Sequence, residues 1–188
     1  MQTGGGRGGG VFAAADVHYP RSGGARAAAI LMADAAFSVV LAEKTATVTH
    51  VTPYRPGEFF ARELPPLRAV LHDVQGLGLL VLDGYVDLDP TGRPGLGAHA
   101  HGEFGVPVIG VAKTMFRTAT HALAVQRGRS ARPLFITAAG MPVQEAADLV
   151  RHMAGPFRLP DALRRADALA RAHQSPATQT SRPVHLAD

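Results

Sequence analysis

The sequence predicts an α/β domain. Its sheet is of mixed direction, an antiparallel three-strand meander plus parallel strands, flanked by helices. Three observations carry that expectation. Three apolar or β-branched runs follow one another between residues 11 and 51 with only short connections. From residue 58 onward, helix-like and strand-like patterns alternate, as they do where strands are joined by covering helices. The last patterns before the chain turns polar are helical. With 188 residues, 46% hydrophobic and 18% charged, the chain suits one compact core.

Each element has its own reason. Val11–His18 is a short apolar run that closes on Asp16, which suits a buried strand. Arg21–Gly24 is a turn, and Ala25–Ala33 a second apolar run. Ser38–Val51 is β-branched and partly alternating, a third strand. Two prolines and a glycine in PYRPG (53–57) bar helix and central strand. Glu58–Val74 then spaces Phe59, Phe60, Leu64, Leu67, Val70 and Leu71 as a helix does, with Pro65 and Pro66 expected near its first turn or at a break. Leu77–Leu82 is an apolar strand ending at Asp83-Gly84, followed by a Gly/Pro/Asp-rich loop over 84–97. Leu96–Phe104 suits a short helix, Val106–Val111 and Pro133–Thr137 suit strands, and Val143–Met153 and Leu159–Ala172 suit helices. Residues 1–10 read as a disordered Gly-rich tail, 11–173 as the single domain, and 174–188 as a polar C-terminal tail.

Composition excludes several classes. Without cysteine there is no disulfide framework, thiolate zinc site, Fe–S cluster or Cys nucleophile, and a reducing cytoplasm is the expected compartment. No apolar run is long enough to span a bilayer, and the N-terminus has no apolar signal core. The excess of 19 basic over 15 acidic residues is mild, but it is unevenly spread. Phe104–Gln144 holds no acid while carrying Lys113, Arg117, Arg127, Arg129 and Arg132, which suits either a polyanion or a solvated basic loop.

Asp16 and Asp83 each follow an apolar strand run, where an unpaired carboxylate is costly. On neighbouring strands the two would converge and repel unless a divalent cation lay between them. Hard oxygen donors favour Mg²⁺ or Mn²⁺ over zinc. Glu63 is a possible third oxygen donor. Turn or cap acids are the plainer alternative, since Asp-Gly after a strand is an ordinary turn signal. Lys113, at the end of an apolar strand, suits a phosphate or a leaving oxygen, or an exposed loop. Tyr54, held between prolines, suits stacking on a base, or packing under a loop. Gly84, Gly92, Gly95 and Gly97 let backbone approach a flat ligand closely. No phosphate-loop or dinucleotide motif is present, His99 and His101 lack partners for zinc, and Ser130 lacks a nucleophile elbow.

Together these segments resemble the endonuclease V family, from about Ala14 to Ala170. The motifs in order are AADVHY, PYRPG with FFARELPPL, VLDGY, GLGAH, VPVIGVAK, PLFIT and FRLPDALRRADALA. The resemblance implies a ribonuclease-H-like fold. It implies a Mg²⁺-dependent DNA repair nuclease, with Mn²⁺ able to substitute, that cuts the second phosphodiester bond 3′ to deoxyinosine and leaves a 3′-hydroxyl and a 5′-phosphate. On this likeness Asp16, Glu63 and Asp83 match the family's catalytic, metal-holding acids, and Lys113 its active-site lysine. Tyr54 matches its wedge, and Phe59, Gly84, Gly95 and Leu96 match its pocket for the hypoxanthine base. The partner implied is deoxyinosine-containing DNA, or inosine-containing RNA, taken by a monomer. There are two departures. Asp89 stands where the family commonly has His, and Met141 where a late His follows the strand PLFIT. The late His usually supports metal or water, and Asp89, Glu145 and Asp148 are the acids considered as its replacement.

Overall fold

The structure, a computed structural model, describes residues 10–53 and 59–172, with Phe59 described by its backbone alone. The two expected tails, apart from Gly10, and Tyr54 lie outside the described residues. Within them the order is β1 (Val11–His18), β2 (Ala25–Met32), β3 (Val40–Val48), α1 (Phe59–Leu71), β4 (Leu77–Asp83) and α2 (Leu96–Phe104). There follow β5 (Val108–Ala112), β6 (Leu123–Val125), β7 (Leu134–Ala139), α3 (Val143–His152) and α4 (Asp161–Arg171). The strands form one sheet in the order β3-β2-β1-β4-β5-β7-β6. The first three strands are the antiparallel meander expected, and β1, β4 and β5 are parallel neighbours.

Two features of the sheet differ from expectation. β6 spans only Leu123–Val125, too short to show a period. The strand expected at Pro133–Thr137 runs antiparallel to β5 as β7. Its connection from β5 passes through β6 with no covering helix, so it lacks the crossover that a parallel entry requires.

Helices α3 and α4 cover one face, with Ala146, Val150, Ala162 and Ala166 packed over Ala14, Val81 and Ile109. The other face is covered by α1 and α2, through Leu67, Val70, Leu96 and Ala100 over Ala13, Ala15, Leu80 and Leu82. Alanines line the middle of β1 and β2 and the inner side of α4, and short side chains on both partners let the helix sit close to the sheet.

The prolines of α1 are neither in its first turn nor at a break: the helix continues through Pro65 and Pro66. Pro66 has no N–H to give the carbonyl of Arg62, four residues earlier. Tyr19, just past β1, donates its hydroxyl to that carbonyl at 2.9 Å. The missing backbone donor is thus replaced by a side chain that ties α1 to the end of β1.

Candidate active site

Strand alternation and register set the first two acids. Ala15 pairs with Leu82 across the parallel β1–β4 ladder, so Asp16 and Asp83 are the next residues on adjacent strands. Both face the layer of α3 and α4, as Ala14 and Val81 do two residues earlier. Glu63 comes from α1, and its carboxyl is buried, at 6% exposure, within electrostatic reach of both aspartates.

The three acids feel one another's charge. Burial, first, and then a hydrogen bond with Asp167 and the charge of Asp83 push Asp16 up to about 7. Burial likewise pushes Glu63 up to about 7, the charges of Asp16 and Asp83 adding to it and a hydrogen bond from Tyr19 opposing it. The Tyr19 hydroxyl has one proton and two neighbours. It donates to the Arg62 carbonyl and also borders the Glu63 carboxyl. The Arg62 guanidinium lies over the Tyr19 ring at 3.7 Å from its centroid. Burial and the neighbouring Glu63 together raise the Tyr19 phenol above its ordinary value.

One interaction relieves the repulsion among these acids. Lys113, one residue past β5, pairs its Nζ with Asp83 Oδ2. Asp167 on α4 brings a further carboxyl against Asp16: the hydrogen bond between them raises Asp16, while Asp167 is lowered, its burial outweighed by its bonds with Arg171 and Asp16. Arg171 Nε lies 2.7 Å from Asp167 Oδ1. Among the described residues no three acidic or histidine side chains stand as a ready-made coordination shell. The donor chemistry nevertheless fits a hard divalent cation. Buried carboxylates that raise one another's pKa lack positive charge, and a cation among them would supply it.

A cavity of about 310 Å³ opens beside Asp83. Gly84, Gly95 and Leu96, three of the residues expected around a base, line it together with Phe60, Tyr85 and Phe116. Phe60 is backed by His99, their rings stacked with centroids 3.6 Å apart. Tyr85 donates its hydroxyl to the Thr114 carbonyl at 2.8 Å and accepts from the Phe116 N–H at 2.9 Å, which joins the loop after β4 to the loop after Lys113. Gly110 lets the first loop lie down: a Cβ there would meet the Gly84 carbonyl at 2.7 Å, and nearby Thr137 Oγ1 accepts from the Val86 N–H at 2.8 Å. Gly95 is bare for a similar reason. The carbonyls of Tyr85 and Val86 lie 2.8 Å from where its Cβ would stand, so its close approach is to the protein's own loop.

None of the acids considered in place of the late His stands with the cluster. Asp89 caps its own loop, accepting from Thr91 N–H at 3.0 Å and Thr91 Oγ1 at 2.6 Å. Glu145 and Asp148 border a separate depression on α3, and Met141 packs against the core. The acid that does join is Asp167, which sequence reasoning missed. Its signal was faint. Asp167 lies four residues after Leu163 and three before Ala170, both buried, so it sits at the edge of the inner face of α4. Arg171, four residues on, gives it the spacing of an ordinary surface ion pair. The acid-free stretch also needs correction. Arg117, Arg129 and Arg132 are exposed, but Arg127 is buried and spends its guanidinium on backbone carbonyls.

The family model for Endonuclease V matches residues 8–134. The chain belongs to the endonuclease V family. An endonuclease V of Streptomyces coelicolor is 35% identical over 84% of this chain and 76% of its own length. The crystal structure of an endonuclease V from Streptomyces avermitilis superposes with a TM-score of 0.73 at 28% identity, over 87% of this chain and 81% of that one. A Ciona intestinalis endonuclease V, solved with a 23mer DNA containing an inosine followed by a ribo-adenosine, superposes with a TM-score of 0.72 at 18% identity, over 86% of this chain and 83% of that one. The fold is that of the endonuclease V structures, which is ribonuclease-H-like. The chain is accordingly a nuclease, a hydrolase acting on DNA, and nucleases of this family are metal-dependent. No helix among the described residues is long and apolar enough to cross a membrane.

Proposed function

We propose that this protein recognises deoxyinosine in DNA and hydrolyses the second phosphodiester bond 3′ to it, with Mg²⁺ as cofactor and Mn²⁺ able to replace it. The observation that carries the reading is adjacency. A buried group of carboxylates with a lysine, suited to phosphoryl chemistry, borders an apolar cavity suited to one flat base. The inosine-containing DNA in the Ciona relative supports the same substrate.

Asp16, Glu63 and Asp83 would hold the metal. When bound, it supplies Lewis-acid polarisation of the phosphoryl oxygen and favours ionisation of the attacking water. Glu63, which reaches the two aspartates from α1, would help to hold the metal or orient the attacking water. The water oxygen bonds to phosphorus as the bond to the 3′-oxygen breaks; that oxygen takes up a proton to become the 3′-hydroxyl, and the phosphate remains on the 5′-oxygen of the following nucleotide. Lys113 Nζ stabilises the negative charge and supplies hydrogen bonding to the departing 3′-oxygen. Deamination weakens the base pair, so extrusion of the damaged base costs less than for an intact pair. Gly84, Gly95, Leu96 and Phe59 surround the extruded base, and Tyr54 fills the gap left in the stack. Guanine and adenine carry an exocyclic amino group that hypoxanthine lacks, and a close pocket rejects them by clash or by unpaired polar groups. The exposed arginines 117, 129 and 132 hold backbone phosphates.

A nicking assay tests this. A duplex with one deoxyinosine, labelled at its 5′ end, is expected to be cut once, two phosphates 3′ of the lesion, with Mg²⁺ and not with chelator. An uncut duplex would overturn the reading. A second substrate is favoured by the ribo-adenosine beside the inosine in the Ciona complex, namely inosine in RNA. Matched DNA and RNA strands separate the two, since the sugars differ only by the 2′-hydroxyl.

A further inference from the structure

Lys113 stands one residue beyond β5, in a loop whose residues 113–118 are all exposed, so little packing aims its side chain. One contact does hold its backbone. The guanidinium of Arg158, in the segment between α3 and α4, donates from Nη2 to the carbonyl of Lys113 and also to the carbonyl of Pro133 at 2.7 Å. One planar group therefore joins the end of β5 to the start of β7. Arg158 is itself held in place. Buried Arg127, just after β6, donates to the carbonyls of Phe157 at 2.9 Å, Arg158 at 3.3 Å, Gly155 at 3.3 Å and Met153. The two segments touch closely: a Cβ at Gly128 would lie 2.4 Å from the Pro156 carbonyl.

We infer that Arg158 is a positioning residue for Lys113. Its guanidinium fixes the Lys113 carbonyl and so the direction in which the ammonium leaves the strand end toward Asp83. Arg127 fixes Arg158 in turn by gathering the loop that carries it. A backbone carbonyl held by a charged donor is a firm anchor, and a misplacement of about 1 Å at a reacting group can cost on the order of 100-fold in rate. The inference rests on the role proposed for Lys113.

A double-mutant cycle tests it. Wild type, Arg158→Ala, Lys113→Ala and the double variant are compared with Arg158→Lys. Three quantities are measured for each: single-turnover nicking of the deoxyinosine duplex with Mg²⁺, affinity for that duplex in chelator, and Tm. Arg158→Ala is expected to slow nicking by roughly 10- to 100-fold with affinity unchanged, and to cost nothing further once Lys113 is alanine. Arg158→Lys, which keeps a charged donor but on a differently placed, non-planar head, is expected to fall between. Should Arg158→Ala prove unfolded by its Tm, Arg158→Lys carries the cycle. An equal rate loss in both backgrounds, or a loss of affinity in place of rate, would show Arg158 touching substrate itself and overturn the inference. If Lys113→Ala nicks as wild type does, the role of the lysine falls and this inference with it, on a separate arm of the experiment.

Discussion

Acids at the strand ends and acids on the helix surfaces of this protein live under opposite conditions. Asp16 and Glu63 are largely shielded from water, face one another and Asp83, and are pushed up to about 7. Asp73 and Glu103 are exposed and paired with Lys44 and Arg68, and they sit below their ordinary values, in each case chiefly through the bond to that cation. The same side chain thus titrates on either side of its usual range according to whether water and a cation reach it. Carboxylates kept close together at such electrostatic cost are the ones to suspect of chemistry. Asp167 stands between the two classes: it has a surface partner in Arg171 and an inward hydrogen bond to Asp16.

The comparison breaks first at activity. Asp16→Asn or Asp83→Asn is expected to reduce Mg²⁺-supported nicking by about 1000-fold or more, measured in single turnover, since each removes a charge from the group that would hold the metal. Near-normal rates would return these acids to the class of cap residues. Asp167→Ala is expected to cost roughly 10- to 100-fold, as an outer partner of a metal-site ligand does, while Asp148→Ala, on α3, leaves the rate unchanged. Equal effects from the two would erase the distinction between inner and outer acids.

Stability against pH sharpens it further. Asp16 has a folded-state pKa near 7 against an ordinary 3.8, so between those values the native state binds more protons than the unfolded chain. Stability in chelator is therefore expected to fall as pH rises from about 4 through about 7, the penalty being complete above that, and Glu63 acts in the same direction. Asp16→Asn, which cannot ionise, is expected to be more stable than wild type at pH 8 by on the order of 1–3 kcal/mol, read from denaturant titration, with little difference at pH 4. A variant less stable than wild type at pH 8 would contradict the assigned repulsion. The smallest effect belongs to the surface class. Glu103→Gln, which weakens an exposed pair with Arg68, is expected to leave Tm unchanged within error.

Much of this was legible beforehand where one period ran long enough to be counted. The meander over residues 11–51 and the positions of α2, α3 and α4 followed from alternation, helical spacing and punctuation by Gly and Pro. The strand β6 was not legible because three residues carry no period. The course of α1 through Pro65 and Pro66 depended on a hydroxyl supplied from residue 19, a contact 43 positions away in the chain. Arg127 counted toward a basic stretch in the sequence, yet in the fold it is an internal fastener.

Local chemistry alone determined that Asp16 and Asp83 would end apolar strands and that a lysine would follow a third, because side-chain alternation and residue type are properties of neighbouring positions. Only the tertiary structure decided that these groups share one place, that Asp167 joins them, and that a cavity opens beside them. Those facts depend on which strands pair and how each helix lies across the sheet. Such pairings are set by burial summed over the whole core, which no short stretch of residues encodes.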